Sequence, residues 1–380
     1  MDKRNARHEG RKPDFRCKRE AEQCALQERT FGAKSQAFLS PRVANSDTLL
    51  AMPIIAQIAS GEVLETAFEW LCHRRLKYSA NSDIWSFRRN WSDEKTRIRR
   101  EVRAGQYRFD LLSRITLSNG DAVDLWSSRD ALVLKALALV LAEYLPVSRR
   151  CAHVKGHGGA KYAVRDVRDH LADNHFVFRT DVKSYYASID HLKLLDQVAV
   201  YIKDRRVMNL IGQYLRRTSE RGGCFWDFEK GISLGCPLSP LIGAFFLSAV
   251  DDALDKTGLF YIRFMDDILV LAPSRWKLRH AVRTVNQALA SLAVEKHPDK
   301  TFIGRIERGF DFLGYHFSRV GLTIARKTIA NFITKASRLY EQKRSTVLAD
   351  AALEMYVKRW ARWAERGFEA KLSAGKWCLP

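Results

Sequence analysis

The sequence predicts an α+β fold, and two patterns carry that reading. Apolar residues recur at helical spacing from Pro53 to about Arg103, then again in "KTIANFITKASRLYEQKR" (Lys327 to Arg344) and "MYVKRWARWAERG" (Met355 to Gly367). Between these stretches, short β-rich runs fold back on themselves: "GQYRFDLLSRITLSNGDAVDLW" (Gly105 to Trp126) around an Asn119-Gly120 turn, "FYIRFMDDILVLA" (Phe260 to Ala272), and the alternating aromatic run "GFDFLGYHF" (Gly309 to Phe317). Hairpins of this kind build antiparallel sheet.

The bulk numbers set the class of partner. At 380 residues and 46% apolar content the chain has material for a core in one large domain or two to three lobes. Lys plus Arg number 64 against 43 Asp plus Glu, a formal charge of +21. Such an excess costs self-repulsion and suits a polyphosphate, so nucleic acid is the favoured partner; a basic surface that serves only solubility is the alternative. Seven scattered cysteines (Cys17, Cys24, Cys72, Cys151, Cys224, Cys236, Cys378), without a CxxC pair, predict reduced thiols in a cytoplasmic setting and neither a disulfide framework nor a zinc site. The longest apolar stretch, Ala131 to Leu145, contains Lys135 and is too short for a bilayer, so no membrane span is expected.

Along the chain, residues 1–51 mix both charge signs with few periodic apolar positions and read as a flexible basic N-terminal extension. Met52 opens a more ordinary pattern. The preceding residues are either an upstream extension of the reading frame or a basic arm that folds on RNA. "IWSFRRNW" (Ile84 to Trp91) interleaves aromatics with arginines, either to stack bases or to place two Trp in a helical core face. Helix is expected from Ser128 to about Glu143. "HVKGHGGAKYAV" (His153 to Val164) is a Gly-rich basic loop leading into a helix: Lys155 and Lys161 stand ready for a polyanion, or the loop is merely flexible.

The carboxylates are the chemical signal. "FVFRTDVKSYYASIDH" (Phe176 to His191) opens with a strand that ends at Asp181, while Asp266 and Asp267 sit at the tip of a hairpin. If those strands are neighbours, three acids converge, and like charges so placed need cations between them. Hard divalent ions with oxygen ligands are the natural ones, and two of them support phosphoryl transfer. An isolated pair of Asp residues is ordinarily a solvated turn; here order and context argue for more. Between the acid sites, "GISLGCPLSPLIGAFFLSAVDDAL" (Gly231 to Leu254) is a Gly/Pro loop feeding a helix whose Gly243-Ala244 surface is small enough for a base pair to approach. "HPDKTFIG" (His297 to Gly304) and the aromatic hairpin follow.

This ordered series resembles the reverse transcriptases, in particular the bacterial branch that includes group II intron, retron and phage-defence enzymes. Asp181 falls in a motif similar to that family's "DxxxxF...SIDH", Gly231 to Pro240 is similar to "GxPQGSPLSP", and Phe264 to Asp267 is similar to "YxDD". "DKTFIG" and "FLGYHF" resemble the following strand with its lysine and the primer-gripping hairpin. The resemblance spans about residues 85 to 370. It implies a right-handed fingers-palm-thumb polymerase with an antiparallel palm sheet and a helical thumb: fingers over 52–175, palm over 176–320 with a finger insertion near 200–230, and thumb over 321–380.

The resemblance also implies roles. Asp181, Asp266 and Asp267 would hold two Mg²⁺ ions, with Mn²⁺ as substitute, helped by the Val182 carbonyl, and Lys300 would protonate the departing pyrophosphate. Tyr186 would close off the space of a ribose 2′-hydroxyl and so favour dNTPs. Leu234 and Gly235 would meet the incoming dNTP, with Arg114 and Arg129 as candidates for its triphosphate. Lys155, Lys161, Phe264, Gly314 and Tyr315 would contact nucleic acid. Three departures stand out: Phe264 replaces the usual Tyr; Leu234 stands where most relatives carry Gln, which predicts relaxed fidelity or unusual nucleotide selection; and "NGDAVDLW" is acidic where relatives carry a basic pair for the triphosphate. The partners implied are an RNA template, a DNA or RNA primer and dNTPs, with a dedicated non-coding RNA in anti-phage defence or a retroelement. No Cys/His endonuclease signature is legible in the sequence, and no RNase H domain is expected. The alternative is a catalytically idle or template-independent nucleic-acid-binding palm protein.

Overall fold

In the computed structural model, residues 52–116, 122–341 and 348–368 are described. The expected N-terminal extension and the Asn119-Gly120 turn lie outside them. Helix α1 (Ile54–Ile58) is followed by α2 (Gly61–Arg74), which starts where the Ser60 hydroxyl accepts the Val63 N–H at 3.2 Å. α3 (Asp83–Arg89) and α4 (Trp91–Ala104) come next, and α4 ends at Gly105, whose φ of +70° suits a residue without a Cβ. Trp91 stacks on Phe68 with ring centroids 4.1 Å apart, the packing alternative for the aromatic-Arg stretch. The first hairpin pairs β1 (Leu112–Thr116) with β2 (Ala122–Leu125). α5 (Ser128–Leu141), capped by Ser127, is buried on nearly every side, as its continuous apolar run requires.

The Gly-rich loop leads into α6 (Gly159–Asp169), then β3 (Phe176–Thr180), the short α7 (Tyr185–Ser188) and α8 (His191–Tyr201). α9 (Arg205–Leu215) precedes a hairpin of β4 (Thr218–Arg221) and β5 (Cys224–Asp227). α10 (Ser239–Phe246) and α11 (Ser248–Asp255) lead to β6 (Phe260–Phe264) and β7 (Asp267–Ala272), then α12 (Arg275–Ser291), a 3₁₀ turn at Pro298–Lys300 and β8 (Phe302–Arg305). β9 (Phe310–Phe312), β10 (Tyr315–Ser318) and β11 (Gly321–Ile324) form a meander, followed by α13 (Arg326–Glu341) and α14 (Leu348–Phe368).

The chain divides into two compact units: the described residues up to Tyr144 with Ala199–Ser239, and Leu145–Val198 with the described residues from Pro240 onward. Residues 199–239, which contain the segment expected as an insertion near 200–230, share a unit with the N-terminal helices. Its sheet has the order β2-β1-β4-β5, with β1 and β4 parallel. The other boundaries differ from expectation. Residues 145–175 belong with the palm strands, and 321–368 do not separate from them, because α6 packs on β6 and α14 packs on α6.

In the second unit a four-stranded, fully antiparallel sheet has the order β6-β7-β3-β8, beside the three-stranded meander β11-β10-β9. α12 packs against β7 and β3. Side chains of the alternate parity, among them Val177, Leu269 and Leu271, join Ala163, Val164 and Val167 of α6 and the aromatics Phe310, Phe312 and Phe317 in one core. Covered on both faces, β7 reads as the unbroken apolar run "ILVLA" after its acid. No helix among the described residues is long and apolar enough to cross a membrane.

Candidate active site

Strand register brings the acids together. β3 and β7 pair with Thr180 opposite Ile268 and Arg179 opposite Leu269, so one step further along the same register Asp181 faces Asp267. β6 and β7 close their hairpin with Phe264 opposite Asp267, leaving Met265 and Asp266 as the two-residue loop. All three carboxylates therefore stand at one end of two adjacent strands. Asp181 is fully buried, whereas Asp266 and Asp267 are half-buried.

The charges are offset by cations of the chain itself. Lys300, from the 3₁₀ turn, places Nζ 2.7 Å from Asp181 Oδ2, and Arg179 lies 3.7 Å from Asp267 Oδ1. Arg179 also donates to the Asp311 carbonyl at 2.5 Å. Among the described residues no three His, Cys, Asp or Glu side chains already form a metal-coordinating cluster. The donor chemistry nevertheless suits a hard divalent ion, since carboxylate and carbonyl oxygens are its preferred ligands. Val182 bridges Lys296 through its neighbours: the Lys183 N–H donates to Glu295 and the His297 N–H to Asp181. In that pattern Val182's own carbonyl points the other way, toward the β7 side of β3.

The hairpin rests on a buried ion pair that sequence reading passed over. Arg263 is fully buried and pairs with Asp251, which lies on α11. Burial alone would lower its pKa; the Asp251 carboxylate outweighs that and holds it above its ordinary value. The same guanidinium donates to the carbonyls of Ala244 and Met265, each at 2.9 Å. An arginine between strand residues in "FYIRFMDD" was the available signal, because a charge in an otherwise apolar strand requires a partner.

The remaining expected residues fall into place with several corrections. The Tyr186 ring occupies the space left by Gly243, where a Cβ would lie 3.0 Å from Tyr186 Cε1, and Tyr185 donates its hydroxyl to the Gly243 carbonyl. The Gly243-Ala244 surface expected to admit a base pair thus admits tyrosines of the same unit, and Ala244 is buried. Tyr315, expected on nucleic acid, is fully buried and stacks on Trp363 with ring centroids 5.1 Å apart. Lys161, also expected there, lies 3.9 Å from the centroid of the Trp363 ring and donates to the Trp363 carbonyl and the Tyr315 hydroxyl. Gly314 and Leu313, both at positive φ, form the two-residue turn between β9 and β10, and a Cβ on Gly314 would meet Trp363 at 2.9 Å. These residues secure α14 rather than present a nucleic-acid surface. Phe264 packs edge-on against His153, and Lys155 is exposed.

In the other unit, Leu234 is exposed and Gly235 adopts φ +73° on a loop that buried groups hold in place. The Trp126 indole donates to Ser233 Oγ at 2.9 Å, Arg217 donates to the Gly231 carbonyl at 2.9 Å, and Tyr214 and Ser239 share a hydrogen bond of 2.7 Å. Arg129, a triphosphate candidate, is committed to Glu94 and Glu101 at 3.0 and 2.8 Å. Arg114 lies 3.7 Å from Asp124 and over the Trp226 ring. Neither residue presents an unengaged guanidinium of the kind expected for a triphosphate clamp.

An antiparallel sheet with acids at the ends of adjacent strands, backed by helices and followed by a helical segment, defines the palm of a nucleotidyltransferase of the right-hand polymerase class. Residues 136–317 match the family model described as reverse transcriptase (RNA-dependent DNA polymerase), and over that stretch the chain is a reverse transcriptase domain. Protein YkfC of Escherichia coli (strain K12) is 23% identical over 300 residues, covering 64% of this chain and 78% of that protein. Among solved structures, chains of a partial Cas6-RT-Cas1–Cas2 complex and of the Cas6-RT-Cas1–Cas2 complex each align at 19% identity with TM-score 0.38 over 63% of this chain. The chain spans 42% and 26% of those two chains.

Proposed function

We propose that the chain is an RNA-directed DNA polymerase that extends a primer 3′-hydroxyl with dNTPs on an RNA template. The observation that carries this reading is the β3–β7 register, which sets Asp181 across from Asp267 with Asp266 beside them at the hairpin tip. Two bound Mg²⁺ ions would lower the pKa of the attacking hydroxyl and stabilise the departing pyrophosphate. Asp181, Asp266, Asp267 and the Val182 carbonyl would hold them. Lys300, now on Asp181, stands where it could donate a proton to the leaving group. Tyr186, seated on Gly243, would exclude the 2′-hydroxyl of an NTP. A dedicated non-coding RNA and a role in anti-phage defence or a retroelement rest on the motif resemblance and the high positive charge, and a cytoplasmic location on the scattered cysteines without a CxxC pair.

Primer extension with labelled dNTPs and Mg²⁺, comparing wild type with Asp266→Asn and Asp267→Asn variants, tests the activity. Synthesis by the wild type, lost in both folded variants, supports it; no synthesis from wild type on RNA templates overturns it. One observation favours a second reading, a nucleic-acid-binding palm that does not catalyse: Lys300 and Arg179 already offset two of the acids, so the carboxylates can persist without metal.

A further inference from the structure

The tip of the acid hairpin is strained. Met265 has φ +59°, a left-handed conformation that crowds its Cβ and that glycine would adopt freely. A strained turn persists only where its surroundings over-determine it. Here both polar groups of Met265 are held: its carbonyl accepts from Arg263, and its N–H donates to His153 Nδ1 at 2.9 Å.

His153 reaches this position through backbone pairing. The Arg263 N–H donates to the Arg150 carbonyl at 2.9 Å, and the Ala152 N–H donates back to the Arg263 carbonyl at 2.8 Å. Cys151 thereby bridges the open edge of β6 in parallel, and the next residue in the chain after Ala152 arrives beside the tip. Accepting at Nδ1 places the imidazole proton on Nε2, which lies 3.2 Å from the Pro240 carbonyl and donates to it. Both ring nitrogens are therefore assigned. Cys151 Sγ stands 3.3 Å from Nδ1, and the Phe264 ring meets the imidazole edge-on. Although part of the residue meets solvent, enclosure and the Arg263 charge push its pKa down to about 3, in keeping with a neutral ring.

We propose that His153 is a positioning residue for the acid hairpin: its Nδ1 holds the Met265 amide and so keeps the strained turn in the conformation that presents Asp266 and Asp267. The role is backbone restraint; the imidazole touches neither substrate nor acid. The consequence for synthesis rests on the polymerase reading above, whereas the restraint itself does not.

The test uses the full chain and two variants. His153→Phe keeps an aromatic ring and removes the acceptor, while His153→Asn can place its amide oxygen near the site of Nδ1. Amide hydrogen exchange at Met265 is read with and without Mg²⁺, and primer extension gives kcat, dNTP KM and the Mg²⁺ concentration for half-maximal rate. Loss of one hydrogen bond predicts roughly tenfold faster Met265 exchange in His153→Phe. It also predicts a comparable fall in kcat, a higher Mg²⁺ requirement and little change in dNTP KM, with His153→Asn recovering most of both exchange protection and rate. Wild-type protection in His153→Phe overturns the proposal. So do equal losses in both variants that track a common fall in melting temperature, since packing alone would produce them. If wild type makes no DNA, the polymerase reading fails while the exchange measurement still decides the restraint.

Discussion

Lys300 holds its ammonium 2.7 Å from the buried Oδ2 of Asp181, so the most enclosed acid of the palm is compensated by the same residue expected to act on the leaving group. Removing the lysine strips that compensation from a carboxylate with no solvent. Lys300→Met is expected to lose about 2 kcal/mol of stability in EDTA, less than for a fully buried pair because the lysine is partly exposed. Added Mg²⁺ should raise its melting temperature more than that of wild type, because the ion replaces a missing cation. Thermal melts of both proteins with EDTA and with Mg²⁺ check this; identical midpoints in EDTA would count against it.

Gly367 is where α14 meets the aromatic meander. A Cβ there would lie 2.2 Å from Tyr315 Cζ and 2.3 Å from its hydroxyl oxygen, and Tyr315 is buried between Lys161 and Trp363. Gly367→Ala should therefore cost about 2 kcal/mol despite the better helix propensity of alanine. It should also expose α14 to limited proteolysis. Gly61→Ala, with nothing within 4 Å of the new methyl, serves as the control and should be neutral or slightly stabilising. Denaturant midpoints for the two variants would show the contrast.

Asp130 predicts a pH dependence of known sign. Burial pushes its carboxyl up to about 6, against the opposing effect of the Tyr107 hydroxyl that donates to it at 2.8 Å. A folded pKa above the unfolded value of 3.8 means that the folded state binds the proton more tightly. The contribution is therefore fully present below about pH 4 and is lost as pH rises through 6, to the extent of about 3 kcal/mol. Asp130→Asn should lack this loss. Urea midpoints from pH 4 to 7.5 would show the wild-type-minus-variant difference falling across that window; a flat difference would contradict the assignment.

Leu234 offers an exposed aliphatic side chain on the loop held by Trp126, Arg217 and Tyr214. An aliphatic group can fill space against a nucleotide but cannot form the hydrogen bonds a glutamine amide offers. Leu234→Gln is expected to lower the misincorporation rate several-fold at little cost in stability. Sequencing the products of both enzymes on one template checks it, and an unchanged error spectrum would remove the link between Leu234 and fidelity.

Much of the fold was legible because it is written in local periodicity. The hairpins at 260–272 and 310–318, the strand ending at Asp181 and the helices flanking them all appear where residue spacing places them. The convergence of the acids was legible only conditionally, since it required β3 and β7 to be neighbours. The nucleic-acid contacts were less legible. Lys161 and Tyr315 look like surface binding residues in a basic, aromatic sequence, yet they pack together under Trp363, some 200 residues along the chain from Lys161. Nothing local distinguishes a lysine that faces solvent from one laid across an indole ring.

By itself, the sequence determined the hairpin whose tip carries Asp266 and Asp267, the aromatic hairpin, the flanking helices and the order of the motifs, because backbone propensity and side-chain alternation act over a few residues. Only the tertiary structure decided which cations offset the acids, that Arg263 holds the carbonyl and His153 the amide of Met265, and that a compact unit begins at Leu145. Those outcomes depend on register and packing between segments far apart in the chain. A single step of register would reverse the face of every side chain involved.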